Sequence, residues 1–140
     1  MTATTVTANR SLNITHILLW AAQVMLALVF MWGAYIKLFQ PMEEAAKMLP
    51  WTKDNPALLI FTGLLDLLGA FGIVLPAATK IQPKLTVFAA YGIVALMISA
   101  SIFHISRGET SLIGMNIFFL LLALFVAWGR SKKAPILSKA

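Results

Sequence analysis

The residues best suited to chemistry in this sequence are a few polar side chains inside long apolar stretches. Asp66 is the most informative, because it stands at the centre of the apolar run 57–75. A carboxylate at the depth of a bilayer is costly, and such a residue usually faces a protein interior or cavity and has a partner. The partners that the sequence offers are Lys37, His104, Asn116 and Gln23. We therefore expect a specific site to be built around Asp66.

These candidates share a depth in the apolar runs. Asp66 lies about nine residues into its run, roughly 13–14 Å from one face at 1.5 Å per residue. Lys37, His104 and Asn116 lie near that same face, each in a different run. The sequence thus predicts a ligand-binding site made of Lys37, Asp66, His104 and Asn116. Asp66, His104 and Lys37 are the candidates for any catalytic role.

Each candidate also has an ordinary explanation. Lys37 either reaches inward to Asp66, over about 6 Å, or extends outward to the membrane interface. His104 and Asn116 suit interhelical hydrogen bonds, each worth about 1 kcal/mol. Gln23 lies deeper and suits a structural role. These alternatives stay open at the level of the sequence.

Composition places the chain in the membrane. Hydrophobic residues make up 60% and charged residues 11%, against about 45–50% and about 25% in soluble domains. Four apolar runs meet the requirement of about 17–25 residues per crossing, and they cover residues 14–39, 57–75, 84–105 and 112–128. The sequence predicts a single transmembrane domain, an all-α polytopic protein with an antiparallel four-helix bundle.

Basic residues are unevenly divided between the two faces of this bundle. Four crossings put both termini and the connection 76–83 on one side, with seven Lys and Arg residues against four on the other side. The positive-inside rule then predicts an inner-membrane protein whose tails, residues 1–11 and 131–140, are cytoplasmic. The net charge of +6 is explained by this topology and by attraction to anionic lipids. It does not indicate nucleic-acid binding.

Several chemistries are excluded or disfavoured. The chain has no cysteine, which rules out thiolate nucleophiles and iron–sulfur ligation. His104, Asp66 and Asn116 would make a metal site poor in strong ligands, so no metal is expected. Six of the eight glycines lie inside the spans, and the chain has no glycine-rich phosphate-binding loop. No covalent cofactor is predicted.

The first long connection has two interpretations. Met42, Ala45, Ala46 and Leu49 recur at helical spacing, which favours a short helix on the membrane surface. A solvated loop anchored in the interface by Trp51 is the alternative.

Four segments of the chain resemble the DoxX-like family. They run from Trp20 to Leu38, from Gly63 to Pro76, from Ala100 to Glu109 and from Asn116 to Arg130. Members of the family commonly carry Glu where this chain has Asp66, a difference of one methylene. The resemblance implies a four-helix membrane protein. For some relatives it implies quinone-linked sulfur oxidation or oxidative-stress complexes, and for distant eukaryotic relatives assembly of membrane receptors.

Two functional hypotheses follow. In the first, the outer half of the bundle binds a quinone or another lipophilic small molecule and supports a membrane redox complex. Lys37 or His104 would donate a hydrogen bond to a carbonyl, and Asp66 would tune or relay the proton. In the second, the protein is a non-catalytic assembly, chaperone or interaction subunit whose polar residues fix the helix register. The expected partners are the lipid bilayer, other redox subunits and further copies of the chain.

Overall fold

The protein is built from helices throughout the part that the structure describes. The structure, a computed structural model, describes the backbone of residues 3–138 and the side chains of residues 13–111 and 113–138. Its helices are α1 (Ala3–Phe39), α2 (Met42–Met48), α3 (Pro56–Thr79), α4 (Lys84–Ser106) and α5 (Ile113–Trp128). The described residues contain no strand. The predicted all-α class is confirmed.

Four of these helices have the length and hydropathy of membrane spans. They cover Asn13–Phe39, Pro56–Thr79, Lys84–Ser106 and Ile113–Lys133. Around the bundle, α1 packs on α3, α3 on α4, α4 on α5, and α5 on α1. Short connections make consecutive spans antiparallel. The structure is therefore the predicted four-helix bundle.

The helix boundaries extend further than the sequence predicted. The second span was expected to end before Pro76, but α3 continues to Thr79 and ends where Lys80 adopts a left-handed conformation with φ 58°. Proline removes one helical hydrogen bond and its ring crowds the residue four positions earlier, which here is Gly72. The backbone of the predicted N-terminal tail is likewise helical from Ala3 onward.

Of the two interpretations of the first long connection, the structure has the short helix, α2. Its Ala45 is fully buried, whereas Met42 and Met48 remain exposed. A 3-10 turn, Pro50–Lys53, follows it and leads into α3.

The bundle has a core of interlocking apolar side chains and an apolar exterior. The core includes Leu26, Phe30, Ile73, Ile93 and Val126. Large apolar side chains also cover the outer surface, as expected where lipid replaces water, among them Leu28, Leu68, Phe88 and Ile102. Polar groups inside the bundle are concentrated towards its two ends.

We name these two ends by what they carry. The loop end carries α2, the 3-10 turn and the connection 107–112, and the termini end carries the connection 80–83 and residues 129–138.

Candidate functional site

A cavity of about 520 Å³ lies at the loop end, and helices α1, α3, α4 and α5 all contribute to it. Its lining includes Lys37, Asp66, His104 and Asn116, the four residues that the sequence singled out. Most of the other lining residues are apolar. The four residues of the predicted site thus meet in one cavity, while its role as a ligand site stays a prediction.

An ion pair between α1 and α3 lies in the wall of this cavity. Lys37 Nζ lies 2.7 Å from Asp66 Oδ2, and the two side chains are only 15% and 7% exposed. Lys37 therefore turns inward, which decides between the two directions that the sequence left open. Both charges are withdrawn from solvent, so each depends on the other for compensation.

Two glycines allow the helices to approach closely enough for this pair. A Cβ atom on Gly33 would lie 2.9 Å from Asp66 Oδ2, and one on Gly63 would lie 3.0 Å from Lys37 Cβ. Gly33 precedes Lys37 by one helical turn, and Gly63 precedes Asp66 by nearly one. On each helix the glycine lies one turn before the charged residue, on the same face. The charged side chain of the other helix packs against that glycine.

Trp51 closes the cavity at the loop end. It is buried, its ring lies 5.6 Å from that of Phe103, and Lys37 Nζ lies 5.9 Å from its centroid. In the same turn Thr52 is fully buried, and its hydroxyl donates to the Leu49 carbonyl. The sequence analysis considered Trp51 as an anchor in the membrane interface. The Pro50–Lys53 turn instead directs it inward, and a lone Trp in a loop carries no sequence signal for that direction.

His104 is held by a carboxylate in its own loop. Its Nδ1 lies 2.8 Å from Glu109 Oε2, while Arg107 Nε donates to Glu109 Oε1 at 2.8 Å. Gly108, with φ 75°, lets the chain reverse so that Glu109 reaches back over the end of α4. The hydrogen bond from Arg107, aided by that of His104, lowers the pKa of Glu109. The sequence analysis considered His104 as a partner for Asp66 and overlooked Glu109.

Asn116 supplies a donor that the described residues leave unused. Its Nδ2 atom is buried and has no hydrogen-bond partner among the described residues. Leaving such a group unsatisfied costs about 1–3 kcal/mol. The amide is therefore a hydrogen-bond donor for which the described residues provide no acceptor.

Gln23 belongs to the other end of the bundle. Its Nε2 donates to the Ile73 carbonyl at 2.7 Å, and its Oε1 accepts from Arg130 Nε at 2.7 Å. The structural role expected for Gln23 agrees with these contacts. Arg130, which the sequence analysis counted among the seven basic residues on the side of the termini, is buried.

The loop-end cavity therefore combines apolar walls with an ammonium, a carboxylate, an imidazole and a free amide donor. Such a set suits an uncharged lipophilic molecule with a carbonyl group. Among the described residues, no three His, Asp or Glu side chains cluster closely enough to hold a metal ion.

Comparison with known proteins bears on the same part of the chain. The family model described as DoxX-like family matches residues 21–126. The chain belongs to the DoxX-like family. The matched range contains every residue that lines the loop-end cavity. No curated protein and no solved structure gives a significant match. With its four apolar helices, this DoxX-like chain is a multi-pass membrane protein.

Proposed function

We propose that this DoxX-like protein binds a quinone, or another lipophilic molecule with a carbonyl group, in the loop-end cavity and supports a membrane redox complex. The observation that carries the proposal is the unpartnered Nδ2 of Asn116 in an apolar cavity that also contains the Lys37–Asp66 pair. A carbonyl oxygen accepts hydrogen bonds and carries no charge, so it satisfies the amide without disturbing the ion pair.

The cavity suits such a ligand in size. Its volume of about 520 Å³ falls within the range of about 300–1,000 Å³ usual for small-molecule sites. Apolar side chains such as Leu65, Leu96 and Met97 line it and provide contacts for an aromatic or quinonoid ring.

The cavity borders the lipid-facing surface between α3 and α4. Phe61 on α3 and Gly92, Ala95 and Ser99 on α4 line it and are exposed on the outside of the bundle. The three small residues of α4 follow one another at helical spacing and leave space beside Phe61. A lipophilic ligand would enter from the bilayer here, with its tail remaining among the lipids.

The charged residues would handle protons. Lys37 carries three N–H donors, of which Asp66 takes one. A further N–H is available to a quinone oxygen. As negative charge develops on the ligand, the Lys37 ammonium would give it a proton, and Asp66 would relay a replacement proton from the aqueous side of the membrane to the amine. Electrons would come from a partner redox subunit, since the chain has no motif for a redox cofactor of its own.

The proposal places the loop end on the outer side of the inner membrane, following the seven-to-four basic bias. Because the chain has no cysteine, single cysteines report sidedness directly. A membrane-impermeant maleimide should label Asp54→Cys in intact cells, and Lys132→Cys only after permeabilisation. Labelling of Lys132→Cys alone in intact cells would reverse the orientation.

An interaction subunit is the second candidate function, and one surface favours it. Trp32, Tyr35 and Phe39 form a stacked row on α1, with centroid distances of 5.7 and 6.3 Å, and all three are exposed. Such a row suits contact with a second membrane protein or with the lipid interface. Stoichiometric copurification of a partner that depends on this row, with no bound small molecule, would favour this candidate.

Binding of a short-chain benzoquinone to the detergent-purified protein tests the first candidate. Asn116→Leu removes the amide while keeping the number of side-chain heavy atoms, and it should weaken binding by about tenfold, the factor that corresponds to 1.4 kcal/mol. It should not lower the melting temperature, because the Nδ2 atom of the amide has no partner among the described residues. Ser101→Ala is the matched control, since Ser101 lies at the same end outside the cavity and donates to Met97. Equal affinity of Asn116→Leu and wild type would contradict the proposal.

A further inference from the structure

The termini end contains a buried arginine. Arg130 is 4% exposed and lies in the π-helical turn Gly129–Lys133 that follows α5. Its Nε donates to Gln23, and its Nη1 donates to the Ala134 carbonyl and contacts His16 Nδ1 at 2.9 Å. Its guanidinium lies 5.4 Å from the centroid of the Trp20 ring. None of these contacts is with a carboxylate.

None of the five acidic residues of the chain serves as a counterion for Arg130. Glu43, Glu44, Asp54 and Glu109 belong to the loop end. Asp66 is paired with Lys37 and precedes Ile73, the residue on α3 that contacts Gln23, by about 10 Å along the helix. A buried cation is costly unless an anion compensates it. Among the described residues, no carboxylate therefore compensates the charge of Arg130.

A cavity of about 800 Å³ adjoins this arginine. Arg130, Thr86 and Lys84 line it. Arg130 Nη2 and Thr86 Oγ1 are both buried and have no hydrogen-bond partner in the described part of the chain, and Thr86 is only 1% exposed. Two donors from separate helices thus lack acceptors beside the same cavity, a coincidence that points to a missing anionic group.

The rest of the lining is largely apolar and reaches the outer surface. It includes Ile81, Val87, Phe88, Ile136 and Leu137, and Phe88 and Leu137 are strongly exposed. A smaller cavity lined by Lys80 shares Ala77 and residues 135–137 with it. The surroundings thus combine positive charge with a path along apolar side chains.

We propose that this cavity binds the phosphate group of an anionic phospholipid. Arg130 Nη2 and the Thr86 hydroxyl would donate to phosphate oxygens, a charge-assisted arrangement for which guanidinium is well suited. Lys84 and Lys80 would add attraction for the net negative headgroup. The acyl chains would lie along Phe88 and Leu137, which is why a lipid fits better than a free phosphate ion. The site is at the opposite end of the bundle from the proposed quinone cavity and does not depend on it.

Lipid binding to the delipidated protein in neutral detergent tests this proposal. Native mass spectrometry would count bound molecules of phosphatidylglycerol and phosphatidylcholine, and inorganic phosphate would be added as a competitor. We expect phosphatidylglycerol to bind at least about tenfold more tightly than phosphatidylcholine, a difference of about 1.4 kcal/mol. Equal binding of the two lipids, or displacement of phosphatidylglycerol by millimolar phosphate, would overturn the proposal, the latter in favour of a free-anion site.

Two substitutions with matched controls assign the binding to this cavity. Arg130→Gln should reduce phosphatidylglycerol affinity by at least about tenfold, whereas Lys132→Gln, which removes an exposed cation from the same turn, should change it far less. Thr86→Val should reduce affinity by at least about threefold, while its melting temperature without lipid stays at or above that of wild type. Thr79→Val is the control, because the Thr79 hydroxyl already donates to Leu75.

Thr86→Val keeps the proposal falsifiable if Arg130→Gln fails to fold. Wild-type phosphatidylglycerol affinity in Thr86→Val would contradict it, as would an equal loss in Thr79→Val.

Discussion

The two ends of the bundle bury a positive charge in different ways. At the loop end, Lys37 lies 2.7 Å from the carboxylate of Asp66. At the termini end, Arg130 contacts an amide, an imidazole, a carbonyl and an indole ring. The first charge is neutralised by a carboxylate, whereas no carboxylate in the described part of the chain neutralises the second. One small bundle thus contains a buried cation that is paired with a carboxylate of the chain and, in our proposal, a second buried cation that binds the anionic group of a lipid.

The two ends are alike in one respect. Each has a neutral side chain with an unused buried donor, Asn116 at the loop end and Thr86 at the termini end. In each case the donor lines a cavity that also contains a buried cation. In our account these donors mark where ligands bind, and the state of the neighbouring charge decides whether the ligand is neutral or anionic.

The largest effect should come from breaking the ion pair. Removing one partner of a buried pair leaves the other unpaired and typically costs about 3–5 kcal/mol, whereas removing both can be nearly neutral. Lys37→Met and Asp66→Leu should therefore each lower the free energy of unfolding in detergent, and the double variant should recover much of the loss.

A second double-mutant cycle, between residues at opposite ends of the bundle, provides the control for the Lys37–Asp66 pair. Asp66→Leu and Arg130→Met lie at opposite ends and should be additive within about 0.5 kcal/mol. Additivity of Lys37→Met with Asp66→Leu would show that the pair is not coupled. Strong coupling between Asp66 and Arg130 would contradict the conclusion that Asp66 compensates Lys37 alone.

A smaller loss of stability should follow when a methyl group is added beside the Lys37–Asp66 pair. Gly33→Ala places a Cβ atom 2.9 Å from Asp66 Oδ2, and overpacking of this kind costs about 1–3 kcal/mol. The melting temperature should fall, and the fall should shrink in an Asp66→Ala background, where the obstructing carboxylate is absent. Gly114→Ala is the control, because nothing lies within 4 Å of its added Cβ. An equal effect in both glycine variants would argue against the close approach.

The smallest effect concerns the His104–Glu109–Arg107 cluster and pH. The pKa of Glu109 is lowered from its ordinary value of 4.5 by Arg107 and His104, so the ionised form stabilises the fold. That contribution is complete above pH 4.5 and is lost as the pH falls through the lowered pKa. The difference in melting temperature between wild type and Glu109→Gln should therefore be largest near neutrality and vanish in acid. Glu43→Gln, an exposed carboxylate of the same end, should not reproduce this pattern.

The fold and the membership of the loop-end cavity were accessible from the sequence. Long apolar runs fix the spans, and counting residues along them gives depth, which placed Lys37, Asp66, His104 and Asn116 at one level. Depth does not give direction around the helix axis, because spans that are apolar on every side have no polar face to orient them. The direction of Lys37 and the partner of His104 therefore required the structure. Gly33 and Gly63 lie about one helical turn before Lys37 and Asp66. These two glycines were the only indication in the sequence of the direction of Lys37.

The termini end was less predictable for a physical reason. Arg130 belongs to the run GRSKK, and basic runs after a span normally lie in the headgroup region. The π-helical turn changes the direction of the Arg130 side chain relative to a continuous α-helix. The hydrophobic periodicity of the sequence does not predict such a turn. Trp51 was misplaced for a similar reason, since a loop residue has no period from which burial can be inferred.

The central claim is that the loop-end cavity holds a lipophilic carbonyl compound, and mass spectrometry of gently extracted protein tests it most directly. Wild-type protein purified in mild detergent should retain a quinone or a related lipophile in amounts approaching one per chain. Asn116→Leu should retain far less, while Thr86→Val should retain as much as wild type. Wild-type protein that carries no such molecule, or an Asn116→Leu variant that carries the same amount, would contradict the account.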